Sequence, residues 1–209
     1  ASMRARQINS YYGQLGDGLG RIVPPQVTSS ASKSLSIAFE EIAADAIVGV
    51  KASELAAAER VILPGVGAFG DCMAHLEEHG FVPAVREWVR EGRPYLGLCL
   101  GLQLLFEGSE ESPGVRGLGL LPGQVRRFVL PRELKVPQIG WNQLRHPGTD
   151  PLLAGVTDGA YAYFVHSYYC APLDPAFILA TTEFGTDYPS VVRRGNVWGI
   201  QCHPEKSQS

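Results

Sequence analysis

The chemistry available to this chain sits at two places far apart in sequence: Cys99 with Gln103, and His203 with Glu205. Residues 94–103 begin as a short apolar run, which predicts a strand buried on both faces. Leu102, Leu104, Leu105 and Phe106 then recur at helical spacing and predict a helix. Cys99 falls at the switch, flanked by Gly97 and Gly101. This Gly-x-Cys-x-Gly is the thiol counterpart of the Gly-x-Ser-x-Gly strand-to-helix turn. The turn lifts the sulfur out of the sheet, and small neighbours let the backbone bend and a substrate approach. The N-terminal end of a helix favours thiolate over thiol, and the N–H of Leu100 is placed to donate to an oxyanion. A buried, inert cysteine is the competing reading, and this stretch alone leaves the two open.

The chain closes on a strand-like run ending in His203-Pro204-Glu205. Side chains two apart on an extended segment point the same way, so Glu205 can orient the imidazole and stabilise its cation. With Cys99 these make nucleophile, base and orienter, the parts of a thiol acyl-transfer site. The competing reading is a surface pair on a terminal loop. Zinc ligation by Cys99, Cys202 and His203 is disfavoured because the usual ligand spacing is absent, and neither metal nor cofactor is expected.

Positioning these groups needs a core, and 209 residues with 45% hydrophobic content allow one domain, taken as 1–209. The net charge of -3 and scattered basic residues leave no footprint for nucleic acid or an anionic membrane. No run is long and apolar enough to span a bilayer. The four cysteines show no Cys-x-x-Cys pair and read as reduced thiols of a cytoplasmic protein. Residues 1–32 show no clean period and read as loop or weak order, without the apolar middle of a signal peptide. A helical stripe then covers 35–43, a strand 46–50, a brief helix 54–58 and a buried strand 61–63. The loop 64–70, rich in glycine, ends that strand where open α/β sheets bind ligands. Helices over 71–79 and 81–91 lead to Cys99. Alternation of helix and strand predicts a parallel sheet with crossover helices. Beyond the acidic loop 107–117, short strands are expected at 118–121, 124–129, 138–141, 160–165, 177–181, 190–193 and 197–201, forming an antiparallel or mixed layer.

Three stretches together resemble a class I (triad) glutamine amidotransferase: Pro64-Gly65-Val66-Gly67, 97–103, and His203-Pro204-Glu205. Residues 63–69, 137–142, 163–169 and 203–207 are most similar to the glutaminase subunit of imidazole glycerol phosphate synthase. The resemblance covers about 33–207. It implies a flavodoxin-like three-layer α/β fold with a mostly parallel central sheet and an added antiparallel strand layer. It implies that Cys99 attacks glutamine, that His203 moves the proton and that Glu205 holds His203. Leu100 and the Gly65-Val66 peptide would form the oxyanion hole. Gln103, Glu107, Ser167 and Tyr168 would hold glutamine's amino-acid end. Trp141, Asn142, Tyr163 and Lys206 would face a cyclase subunit, a (β/α)8 barrel that receives the ammonia in a heterodimer.

Family members open with a buried strand and an Asp-Tyr-Gly-x-Gly-Asn loop, and continue past Ser207 into a helix. Residues 1–32 do not match that opening, so a substitute strand or an incomplete sheet is expected. A glutaminase of another pathway and an inactive relative that only binds its partner are the alternatives.

Overall fold

The computed structural model describes residues 51–207. The features expected over residues 1–50, including any substitute first strand, lie outside the described residues. The chain divides into two compact units, one of residues 51–203 and one of residues 1–50 with 204–209.

In the first unit a 3₁₀ turn, Ala52–Ala57, leads to β1 (Val61–Gly65). Helices α1 (Phe69–Glu78) and α2 (Phe81–Arg90) follow close to their expected bounds. The buried positions of α2 are Val82, Val85 and Trp88, a repeat of three that draws one stripe along the helix. The chain then forms β2 (Tyr95–Cys99) and a single helical turn, α3 (Leu100–Gln103). The rest is strand: β3 (Gly108–Ser109), β4 (Gly123–Arg127), β5 (Gln138–Leu144), β6 (Ala160–His166), β7 (Tyr168–Pro172), β8 (Ile178–Glu183), β9 (Asp187–Arg194) and β10 (Val197–Ile200).

Five strands form one sheet in the order β1-β2-β10-β9-β8. β2 runs parallel to both β1 and β10, while β9 and β8 turn antiparallel. The helices α1 and α2 are the crossover that parallel β1 and β2 require. β3-β4-β7 and the β5–β6 ribbon are separate smaller sheets. This is the expected α/β fold with a mixed strand layer. Two apolar clusters hold it. One joins Phe69, Met73, Val85 and Trp88 of the helices to Leu102, Leu104, Leu105, Val125 and Val192. The other joins Phe128, Phe164, Ala180, Tyr188, Val191 and Cys202. Consecutive Val191 and Val192 enter different clusters, as the alternation of a buried strand requires.

Two expectations fail for one shared reason. The helix after Cys99 stops at Gln103 instead of running through Phe106, and 118–121 is no strand. The N–H groups of Leu118, Leu120 and Leu121 bond the carbonyls of Leu104, Leu105 and Leu105 at 2.8, 2.8 and 2.9 Å, and Gly119 N–H bonds Phe106 at 3.1 Å. A segment read as strand thus caps the open carbonyls of the preceding turn. β7 was not expected separately, because the bend at Ser167 that divides it from β6 carries no glycine or proline.

Candidate active site

The turn at Cys99 is dictated by close backbone packing. Cys99 is the one non-glycine residue with positive φ among the described residues (φ 53°, ψ -108°). Such a conformation costs about 1–3 kcal/mol and persists only where the surroundings enforce it. Here α3 lies directly on the strands. A Cβ on Gly97 would collide with the carbonyl of Gly101, and one on Gly101 would collide with the carbonyl of Leu63. The two glycines flanking Cys99 are therefore set by the crossing of α3 over β2 and β1. Gly65 pairs with Cys99 in the sheet register, and a Cβ there would stand 2.9 Å from Leu100 Cβ. The Gly65-Val66 peptide thus borders the turn, with Val66 78% exposed.

The partner strand brings the second group. Ile200 pairs with Leu98, so Gln201 lies beside Cys99 at the C-terminal ends of neighbouring parallel strands. His203 follows two residues later, buried, its backbone N–H donating to Tyr163 C=O at 2.8 Å. It ends the first unit. In the second unit, 204–207 form a turn closed by Ser207 N–H to Pro204 C=O at 3.2 Å, with Glu205 half-buried and Lys206 exposed.

A buried hydrogen-bond network surrounds the sulfur. Gln201 Nε2 donates to Cys99 Sγ at 3.7 Å. Gln103 Nε2 donates to Gln201 Oε1 and to Tyr168 C=O, both at 3.2 Å. His166 Nδ1 donates to the same carbonyl at 2.8 Å, and Tyr188 OH lies 3.3 Å from His166 Nε2 and donates to Gln138 Oε1 at 2.8 Å. Burial pushes His166 down to about 4; the Tyr168 carbonyl opposes this, and the charge of His203 adds to it. Burial pushes the Cys170 thiol up, and the charge of Cys99 adds to that. His166 and Cys170 therefore stay neutral beside the site.

The other expected residues fall in two places. Glu107 is exposed, and its Oε2 accepts from Gly123 N–H at 3.0 Å. Ser167 is half-buried at the β6–β7 bend and its carbonyl accepts from Phe128 N–H at 3.1 Å. Trp141 and Tyr163 pair across the β5–β6 ribbon, their rings edge to face with centroids 5.9 Å apart. Asn142 takes the opposite side of the ribbon, its Nδ2 donating to Glu183 C=O at 2.6 Å. Among the described residues, metal-ligating side chains cluster at exposed His75, Glu78 and His79; Cys99, Cys202 and His203 form no such group. Sequence reasoning missed Gln201, His166, Tyr188 and Gln138. A usable signal existed for Gln201, a polar residue at the end of an apolar strand and two positions from His203.

The family model for class-I glutamine amidotransferases matches residues 27–209. The chain belongs to the class-I glutamine amidotransferases. This amidotransferase is 53% identical over 154 residues, 74% of its length and 72% of the relative's, to the imidazole glycerol phosphate synthase subunit HisH of Moorella thermoacetica. It is 44% identical over 182 residues, 85% of its length and 87% of the relative's, to the subunit of the same name from Geobacter sulfurreducens. A solved glutamine amidotransferase shares the fold with TM-score 0.63 at 24% identity, over 80% of this chain and 82% of that one.

Proposed function

We propose that this chain is the glutaminase subunit of imidazole glycerol phosphate synthase in histidine biosynthesis. It hydrolyses glutamine to glutamate and ammonia in the cytoplasm. The ammonia passes to a (β/α)8-barrel cyclase in a heterodimer, which forms imidazole glycerol phosphate and aminoimidazole carboxamide ribotide. The observation that carries the reading is the register of β2 and β10, which seats Cys99 at an enforced turn beside the strand that leads to His203.

Cys99 sulfur attacks the side-chain carbonyl carbon of glutamine. Leu100 N–H and the Gly65-Val66 peptide stabilise the oxyanion. His203, oriented by Glu205, passes the sulfur's proton to the departing nitrogen, so the C–N bond breaks and ammonia leaves. Water then attacks the glutamyl thioester with His203 as base, releasing glutamate and restoring the thiol. Gln103 uses Nε2 within the protein, which leaves Oε1 to accept from the substrate's α-ammonium. Glu107, Ser167 and Tyr168 complete that end. Trp141 and Tyr163 face the cyclase from the ribbon's outer side, and Asn142 and Lys206 are the other residues assigned to that interface. Support for a partner comes from the ribbon's outer side, where Ile139, Trp141 and Tyr161 are exposed together on neighbouring positions.

The test is ammonia release from glutamine with the cyclase subunit present. Wild type is expected to turn over, and Cys99→Ala to be inactive while still binding the cyclase. Undiminished ammonia release by Cys99→Ala overturns the nucleophile assignment.

A further inference from the structure

We propose that Gln201 is a positioning residue for the nucleophile: its side-chain amide donates to Cys99 Sγ and favours the charged sulfur, with Gln103 fixing which end of that amide faces it. The inference rests on the reading of Cys99 as the nucleophile.

The orientation follows from one backbone group. The carbonyl of Tyr168 only accepts, so the Gln103 atom 3.2 Å from it is the amide nitrogen. That nitrogen has two hydrogens, and the second meets Gln201 at 3.2 Å. Two amide nitrogens cannot face each other there, so Gln201 presents Oε1 to Gln103. Its Nε2 is then the atom 3.7 Å from Cys99 Sγ. A flipped Gln201 would oppose donor to donor at Gln103 and turn its carbonyl oxygen, which cannot donate, toward the sulfur. Neither side chain has freedom to rearrange, since Gln201 is fully buried and Gln103 is 5% exposed. The backbone of Gln201 is pinned as well, its N–H donating to Ser190 C=O at 2.8 Å.

A thiol is a weak acceptor and a thiolate a strong one, so an aimed N–H favours the ionised sulfur. The α3 turn is only four residues long, which leaves little helix to supply that bias. On the surrounding elements, β1 and α3 carry no titratable side chain; β2 contributes Tyr95 besides Cys99; β7 contributes Tyr168, Tyr169 and Cys170; β6 contributes His166 and β9 Tyr188, both in the same buried network; the run after β10 contributes Cys202 and His203.

The experiment follows Cys99 alkylation by iodoacetamide across pH, read by mass spectrometry of the peptide holding Cys99. Gln201→Met keeps the side chain's length and removes the donor. Its alkylation midpoint is expected about one pH unit above wild type, a tenfold slower reaction at pH below both midpoints. Gln103→Met, which frees the Gln201 amide to turn, is expected to shift it the same way by less. A cooperatively folded Gln201→Met with the wild-type midpoint overturns the proposal. Should that variant fail to fold, Gln201→Asn, whose amide stops one methylene short of the sulfur, is read by the same criterion. The readout is sulfur reactivity, not turnover. Ammonia release persisting in Cys99→Ala would overturn the nucleophile assignment and leave this measurement standing; an unmoved midpoint would overturn the role of Gln201 and leave that assignment standing.

Discussion

Around Cys99 the backbone of α3 rests on β1 and β2, with glycine wherever a side chain would collide, and the polar groups are bonded to one another in the interior. On the β5–β6 ribbon the outer side is open, with Ile139, Trp141 and Tyr161 exposed by 64, 44 and 60%. Each region carries a local cost: a positive φ at Cys99, and exposed large apolar side chains on the ribbon. At the turn the cost is internal and fixes an atom's position. On the ribbon it is an exposed apolar surface, which suits docking. The difference predicts that substitutions at the turn damage chemistry or folding, whereas those on the ribbon spare both.

The largest effect expected is on chemistry. Cys99→Ala should lower ammonia release with the cyclase by at least about a thousandfold while leaving the melting temperature close to wild type. Next comes Gly101→Ala, whose methyl must push α3 off the Leu63 carbonyl. Urea unfolding should show a loss of about 3 kcal/mol or failure to fold. A loss under about 1 kcal/mol would mean that the contact between α3 and β1 is looser than described.

The buried network adds a pH signature. His166 titrates near 4 when folded, against about 6.5 unfolded. The unfolded chain therefore binds more protons between those values. The contribution of His166 is complete above about pH 6.5 and is lost as pH falls toward 4, by up to about 3 kcal/mol. Urea unfolding at pH 7.5, 6 and 5 should show a flatter dependence in His166→Gln than in wild type, and equal slopes would contradict the buried neutral imidazole. The smallest effect on folding is expected at Trp141→Ala, within about 1 kcal/mol of wild-type stability. Its affinity for the cyclase should fall about tenfold or more by titration calorimetry. A large stability loss there with unchanged affinity would erase the contrast between the two regions.

How legible each region was in the sequence follows the same division. Gly97, Cys99 and Gly101 announced the turn because steric exclusion leaves a fixed spacing of residue types. Apolar periodicity placed α1, α2, β1, β2 and β10 for a similar reason. The length of α3 could not be read, because the carbonyls of Leu104 and Leu105 that follow it are claimed by Leu118, Leu120 and Leu121 from later in the chain. The Gln103–Gln201 relay was hidden for the same cause: its partners are 98 residues apart and meet only through sheet register. The pairing of Trp141 with Tyr163 likewise needed the ribbon's register.

The central claim is that Cys99 is the atom on which glutamine chemistry occurs. A diazoketone analogue of glutamine, incubated with the protein and its cyclase and mapped by mass spectrometry, tests it most directly. One adduct, on Cys99, appearing in step with loss of ammonia release, is the predicted result. Complete inactivation with Cys99 unmodified would contradict it.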